Sequence, residues 1–170
     1  SHSPFGAKTC MPAADLNHWR LFVRELARRY QGSPIQIWEV WNEADVSVHW
    51  VGGAGLMADM VRIASEEIKA VSPNSVLLGP NVTSLGMRFL HDFLAAGGGQ
   101  YIDGISVHVY SGRSPKRLWD QIRNWQDLIR SHGLSLPIWN TETNTACGGG
   151  PDSDRLLEQA SCAVMSAESA

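Results

Sequence analysis

The feature that most constrains this chain is a spacing. Four short runs rich in branched and aromatic side chains, Ile35–Glu43, Val76–Asn81, Gly104–Tyr110 and Pro137–Glu142, end about 38, 29 and 32 residues apart and read as buried strands. Between them the apolar period changes from two to that of a helix. Trp19, Phe22, Val23, Leu26 and Tyr30 mark a helix from Asp15, its cap, to about Tyr30, with Gly32 ending the run. Met57, Met60, Val61, Ala64, Ile68 and Val71 mark a second, stopped by Pro73. Phe89, Leu90, Phe93 and Leu94 place a third at about Leu85–Ala96, before a break at Gly97-Gly98-Gly99. Ser114-Pro115 is a cap and first-turn proline for a fourth, through Leu118, Ile122, Trp125 and Ile129 to Gly133. A last helix is expected from about Asp152.

Strands that each lead into a helix pair in parallel through right-handed crossovers. An eight-unit barrel of ~250 residues averages ~31 per unit, which matches the spacing. The expected fold is therefore α/β, of the (β/α)8 barrel type but incomplete. About four βα units form a single partial-barrel domain over residues 1–170. Four units cannot close a barrel, so open strand edges invite self-association.

Composition narrows the partners. A net charge of -3 and a pI near 6.0 supply no field to gather nucleic acid or an acidic membrane surface. No apolar stretch approaches the ~20 residues of a membrane helix. Cys10, Cys147 and Cys162 outline neither a disulfide framework nor a zinc site, and His2, His18, His49, His91 and His132 lack metal-ligand spacing. No metal or cofactor is expected. Seven tryptophans against three tyrosines and four phenylalanines suit stacking on sugar rings as well as core packing. The chain opens at Ser1 rather than at a methionine, which leaves localisation open.

Strand parity then picks out candidate residues. In Ile35–Glu43 the side chains of Ile37, Glu39, Trp41 and Glu43 share one face, while Gln36, Trp38 and Val40 face the helices. The same count sends Asn140 and Glu142 inward and leaves Trp139, like Trp38, outward and packed. Ser106, His108 and Tyr110 share the inward face of the third strand. Two glutamates, an imidazole and a phenol thus converge at the C-terminal rim, where barrel enzymes carry out their chemistry.

Trp41-Asn42-Glu43, His108-Val109-Tyr110 and Thr141-Glu142-Thr143, in that order at strand ends, resemble the catalytic strands of clan A glycoside hydrolases. The stretch Ala27-Arg28-Arg29-Tyr30 followed by Ile37–Glu43 most resembles the β-xylosidase and α-L-iduronidase family, with the family 5 cellulase group close behind. The resemblance implies that the four strands correspond to strands 4 to 7 of a full barrel. It implies a retaining glycosidase in which Glu43 is the acid/base and Glu142 the nucleophile. Asn42 would bind the sugar 2-hydroxyl, Tyr110 would hold Glu142, and His108 would line the subsite or support Glu43. Other residues keep two readings. Glu39 belongs to an inward polar layer or partners the catalytic pair; Asn81 lines the subsite or turns the chain; Trp50 is a sugar platform or a lid over the core. An oligosaccharide or polysaccharide is the implied substrate.

Two other functions compete with the leading one. A non-catalytic carbohydrate-binding or scaffold fragment would keep the carboxylates in a broken cleft. A lyase or aldolase would want a phosphate-binding glycine loop, but Gly148-Gly149-Gly150 precedes Pro151 and Asp152, and acidic residues there disfavour phosphate.

Overall fold

The computed structural model describes residues 15–110 and 115–143, with the side chains of 115–117 left aside. In chain order the elements are α1 (Leu16–Arg29), β1 (Ile37–Glu39), α2 (Gly53–Val71), β2 (Val76–Thr83), α3 (Met87–Ala95), a 3₁₀ turn (Gly98–Tyr101), β3 (Gly104–His108), α4 (Pro115–Ser131) and β4 (Ile138–Glu142). All four strands are parallel, in the spatial order β1-β2-β3-β4. This is the incomplete α/β barrel wall expected from the spacing. The cap at Ser114, the helix from Asp152 and all three cysteines lie outside the described residues.

The helix starts and stops follow local chemistry. The Asp15 carboxylate accepts from Asn17 N at 2.8 Å, satisfying an otherwise orphaned donor of the first turn of α1. Arg28 and Arg29 sit in the last turn, where cations suit the helix dipole. Val23 and Ala27 are buried, and the Trp19 indole donates to Met60 O at 2.9 Å across the α1–α2 contact. In α2, Met57, Met60, Val61, Ala64 and Ile68 of the stripe the periodicity marked are buried, and Val71 at its end is partly buried. That helix also encloses Ala58, Ile63, Ser65 and Glu67, because it packs against both α1 and α3 as well as the sheet.

Ion pairs brace the same contact. Arg20 reaches Glu66 at 2.7 Å and Glu67 at 2.6 Å, and Arg24 reaches Glu67 at 2.7 Å. The Arg24 guanidinium, with Arg20 beside it, lowers the Glu67 carboxyl to about 2, against the desolvation that would raise it.

The central strands differ from the outer ones. β3 is buried throughout and β2 nearly so, as expected of strands with a parallel neighbour on each side. On their helix side, Leu77, Ile105, Val107 and Val109 join Val61, Phe93 and Trp125 in the core. On the other side, among the described residues, the wall is open. Ile37 is 48% exposed and Trp139 38% exposed, both on the interior face.

Two readings of the strands need correcting. β1 keeps its ladder only over Ile37–Glu39, because Val40–Glu43 leave it on the way to a left-handed turn at Glu43 (φ 48°). In β4 the register shifts at Thr141, with Asn140 opposite Val107 but Glu142 opposite His108. A bulge inserts one residue and flips the parity on its far side. Asn140 therefore lies on the helix side with Val107, and Trp139 lies on the interior face, opposite Ser106. A Cβ on Gly104 would come within 2.8 Å of the Trp139 ring, so the glycine makes room for that indole.

Candidate active site

Glu43 is aimed into the rim by its backbone. A φ of 48° is uncommon for a residue with a Cβ and needs restraint from its surroundings. Asn81 supplies it. Its Oδ1 accepts from Glu43 N at 3.2 Å and its carbonyl accepts from Ala44 N at 3.1 Å. Asn81 is itself left-handed (φ 56°), a conformation asparagine tolerates, and it occupies the shift in register between Pro80 and Val82.

The loop after Glu43 folds back on itself. His49 N and Trp50 N both donate to Val46 O, and the Trp41 indole donates to His49 O at 3.0 Å. Asp45 accepts from Thr83 N at 2.8 Å and Thr83 Oγ1 at 2.6 Å, pinning the loop to the end of β2. These contacts bring His49 Nδ1 to 3.0 Å from Glu43 Oε2, a close approach that is out of line for a hydrogen bond. On the opposite side, His108 Nδ1 is 3.1 Å from Glu43 Oε1. An imidazole therefore faces each oxygen of Glu43. Which nitrogen of each ring carries the proton depends on its tautomer.

Glu142 ends β4 opposite His108. Its Oε2 lies 3.6 Å from His108 Nδ1, beyond hydrogen-bond range, and its Oε1 accepts from the Tyr110 hydroxyl. One carboxylate oxygen of Glu43, one of Glu142 and a ring nitrogen of His108 all lie within 4.8 Å of one another.

The sequence candidates fall into three sets. Glu43, His108, Tyr110 and Glu142 meet at one rim, and Asn42 is exposed beside Glu43. Asn81 does not line the cleft: it is 2% exposed, with its amide spent on Glu43 N and Glu39. The platform reading of Trp50 is also corrected. The residue is 3% exposed, and its indole donates to Gly53 O and packs edgewise on Trp41 with centroids 5.1 Å apart, so no face is left for a sugar. His49 is a further residue at the rim, and nothing in its local sequence signals the turn that carries it back to Glu43.

A family model, described as the glycosyl hydrolase catalytic core, matches residues 23–167. The chain belongs to this glycosyl hydrolase family. Its fold is similar to that of a glucosidase from Croceicoccus marinus, with TM-score 0.79 and 20% identity over 92% of this chain and 37% of that one. It is also similar to a GH39 β-xylosidase from Caulobacter crescentus, with TM-score 0.66 and 21% identity over 91% of this chain and 35% of that one. A monomeric β-xylosidase from the same organism gives TM-score 0.67 and 20% identity, over 83% and 33%. The glycosyl hydrolase chain thus spans about a third of the length of these structures. No curated protein matches it. Among the described residues, no helix is long and apolar enough to cross a membrane.

Proposed function

We propose that this chain carries the acid/base and the nucleophile of a retaining glycosidase acting on oligosaccharides or polysaccharides. The observation that carries the reading is the approach of Glu43 and Glu142 across the rim, with oxygens within 4.8 Å. Retaining enzymes hold their carboxyl groups about 5 to 5.5 Å apart, whereas inverting ones leave ~6.5–9.5 Å for a water. The glucosidase and β-xylosidase names of the structural relatives support glycosides as the substrate class.

In the first step Glu142 attacks the anomeric carbon while Glu43 gives its proton to the departing oxygen. In the second, Glu43 takes a proton from water as that water displaces Glu142, and the two inversions sum to retention. The surroundings support this division of roles. The Glu43 side chain is 18% exposed against 50% for Glu142, so Glu43 is the more enclosed of the two. A neutral His108 ring accepts from Glu43 when the acid is protonated and, in its other tautomer, donates when the acid is ionised. Tyr110 donates to Glu142, which suits a carboxylate that stays ionised until attack. Asn42, exposed beside Glu43, is assigned to the sugar 2-hydroxyl.

A 2-deoxy-2-fluoro glycoside bearing a good leaving group slows both steps and traps the glycosyl-enzyme. Incubated with the full-length protein and followed by peptide mapping, it is expected to leave one sugar on Glu142. A sugar on another residue, or none, contradicts the assignment.

A further inference from the structure

β1 and β4 are the outer strands of the sheet, with β2 and β3 between them, so no backbone ladder joins the wall that carries Glu43 to the wall that carries Glu142. A side chain makes the connection. Oε1 of Glu39, on β1, accepts from Thr141 Oγ1 at 2.9 Å and from Asn81 Nδ2 at 3.0 Å. Thr141 is the bulge residue immediately before Glu142. Asn81, through its other amide atom, holds the backbone N–H of Glu43 at 3.2 Å. One carboxylate oxygen is therefore one hydrogen bond away from the residue preceding the nucleophile and two away from the backbone of the acid/base.

The chemistry of each group suits this arrangement. An ionised carboxylate oxygen accepts two hydrogen bonds, and its charge makes both stronger than their neutral counterparts. The Asn81 amide has to turn its NH2 toward Glu39 and its oxygen toward Glu43 N–H; a carboxylate there would set like charges together, and an aliphatic side chain would release both contacts.

We infer that Glu39 is a positioning residue that sets the gap between the two catalytic carboxylates, holding the Glu142 strand through Thr141 and the Glu43 turn through Asn81. The inference rests on the reading of Glu43 and Glu142 as the catalytic pair. Glu39 itself does not contact the reacting atoms. Its influence lies in alignment, where a displacement of about 1 Å costs about 100-fold in rate.

The test uses the full-length protein and four forms of it: parent, E39A, E39Q and T141V. Two rates are read, that of inactivation by the 2-deoxy-2-fluoro glycoside and that of turnover on aryl glycosides with good and poor leaving groups. Circular dichroism and urea unfolding report whether each variant is folded. E39A is expected to inactivate about 100-fold more slowly and to lose kcat on both leaving-group classes, with KM within about twofold of the parent. T141V, which releases only the nucleophile side, is expected to slow inactivation about tenfold without changing the ratio of rates between the two leaving-group classes. E39Q keeps an oxygen at the junction and is expected to recover to within about tenfold of the parent. The inference is overturned by a folded E39A that is labelled at the parent rate, by an E39Q as slow as E39A, or, if E39A does not fold, by a T141V labelled at the parent rate. A parent protein that takes no label refutes the catalytic reading itself, and the inference with it.

Discussion

At the scale of single residues, the site turns on how many partners Glu43 has. Its backbone N–H is held by Asn81 and its two oxygens are faced by His108 and His49. Proton transfer to a leaving group matters most when that group is a poor one, so the acid/base role proposed for Glu43 is tested by leaving-group dependence. Glu43→Ala is expected to lower turnover of poor leaving groups by at least about 100-fold while sparing activated aryl glycosides, with azide restoring rate on the latter. Equal losses on both classes would count against the acid/base role. His108 and Tyr110 were legible in the sequence because each lies at a strand end with inward parity. Trp50 was not, because an indole after a strand end has the same local sequence whether it meets solvent or Trp41. His49 was missed because only the turn through Val46 brings it to Glu43.

At the scale of elements, the period of the apolar residues was enough to place every described α-helix and strand, though not the 3₁₀ turn at Gly98–Tyr101, while strand ends and faces were set by contacts beyond the local sequence. The bulge at Thr141 shows why: one inserted residue reversed the faces of Trp139 and Asn140 without leaving any compositional mark. Register between strands is a property of the pair, so a count along β4 alone could not detect it. The α1–α2 contact makes an independent prediction about stability. Because the folded Glu67 carboxyl is held at about 2, below its ordinary 4.5, its contribution is fully present above pH about 4.5 and is lost as pH falls from there toward 2. Glu67→Gln is expected to lower stability by about 1–2 kcal/mol at neutral pH and to flatten the acid limb of the stability curve, both read by urea unfolding between pH 3 and 7. An unaltered acid limb would show that the Arg20 and Arg24 contacts contribute nothing.

At the scale of the whole molecule, the sheet curls far enough for β1 and β4 to touch through Glu39 and Thr141 although two strands separate them. That curl is what turns two acids distant in sequence into neighbours. Among the described residues, helices cover only its outer side, and the interior face, with Ile37 and Trp139 exposed, is the side toward which both catalytic candidates point. The separation of the carboxyl groups carries a stereochemical consequence that requires no mutation. Proton NMR of the first sugar released from an aryl glycoside by the full-length protein, recorded before mutarotation, reads it directly. A double displacement through Glu142 releases a product anomer of the same configuration as the substrate; an inverted anomer rules that mechanism out.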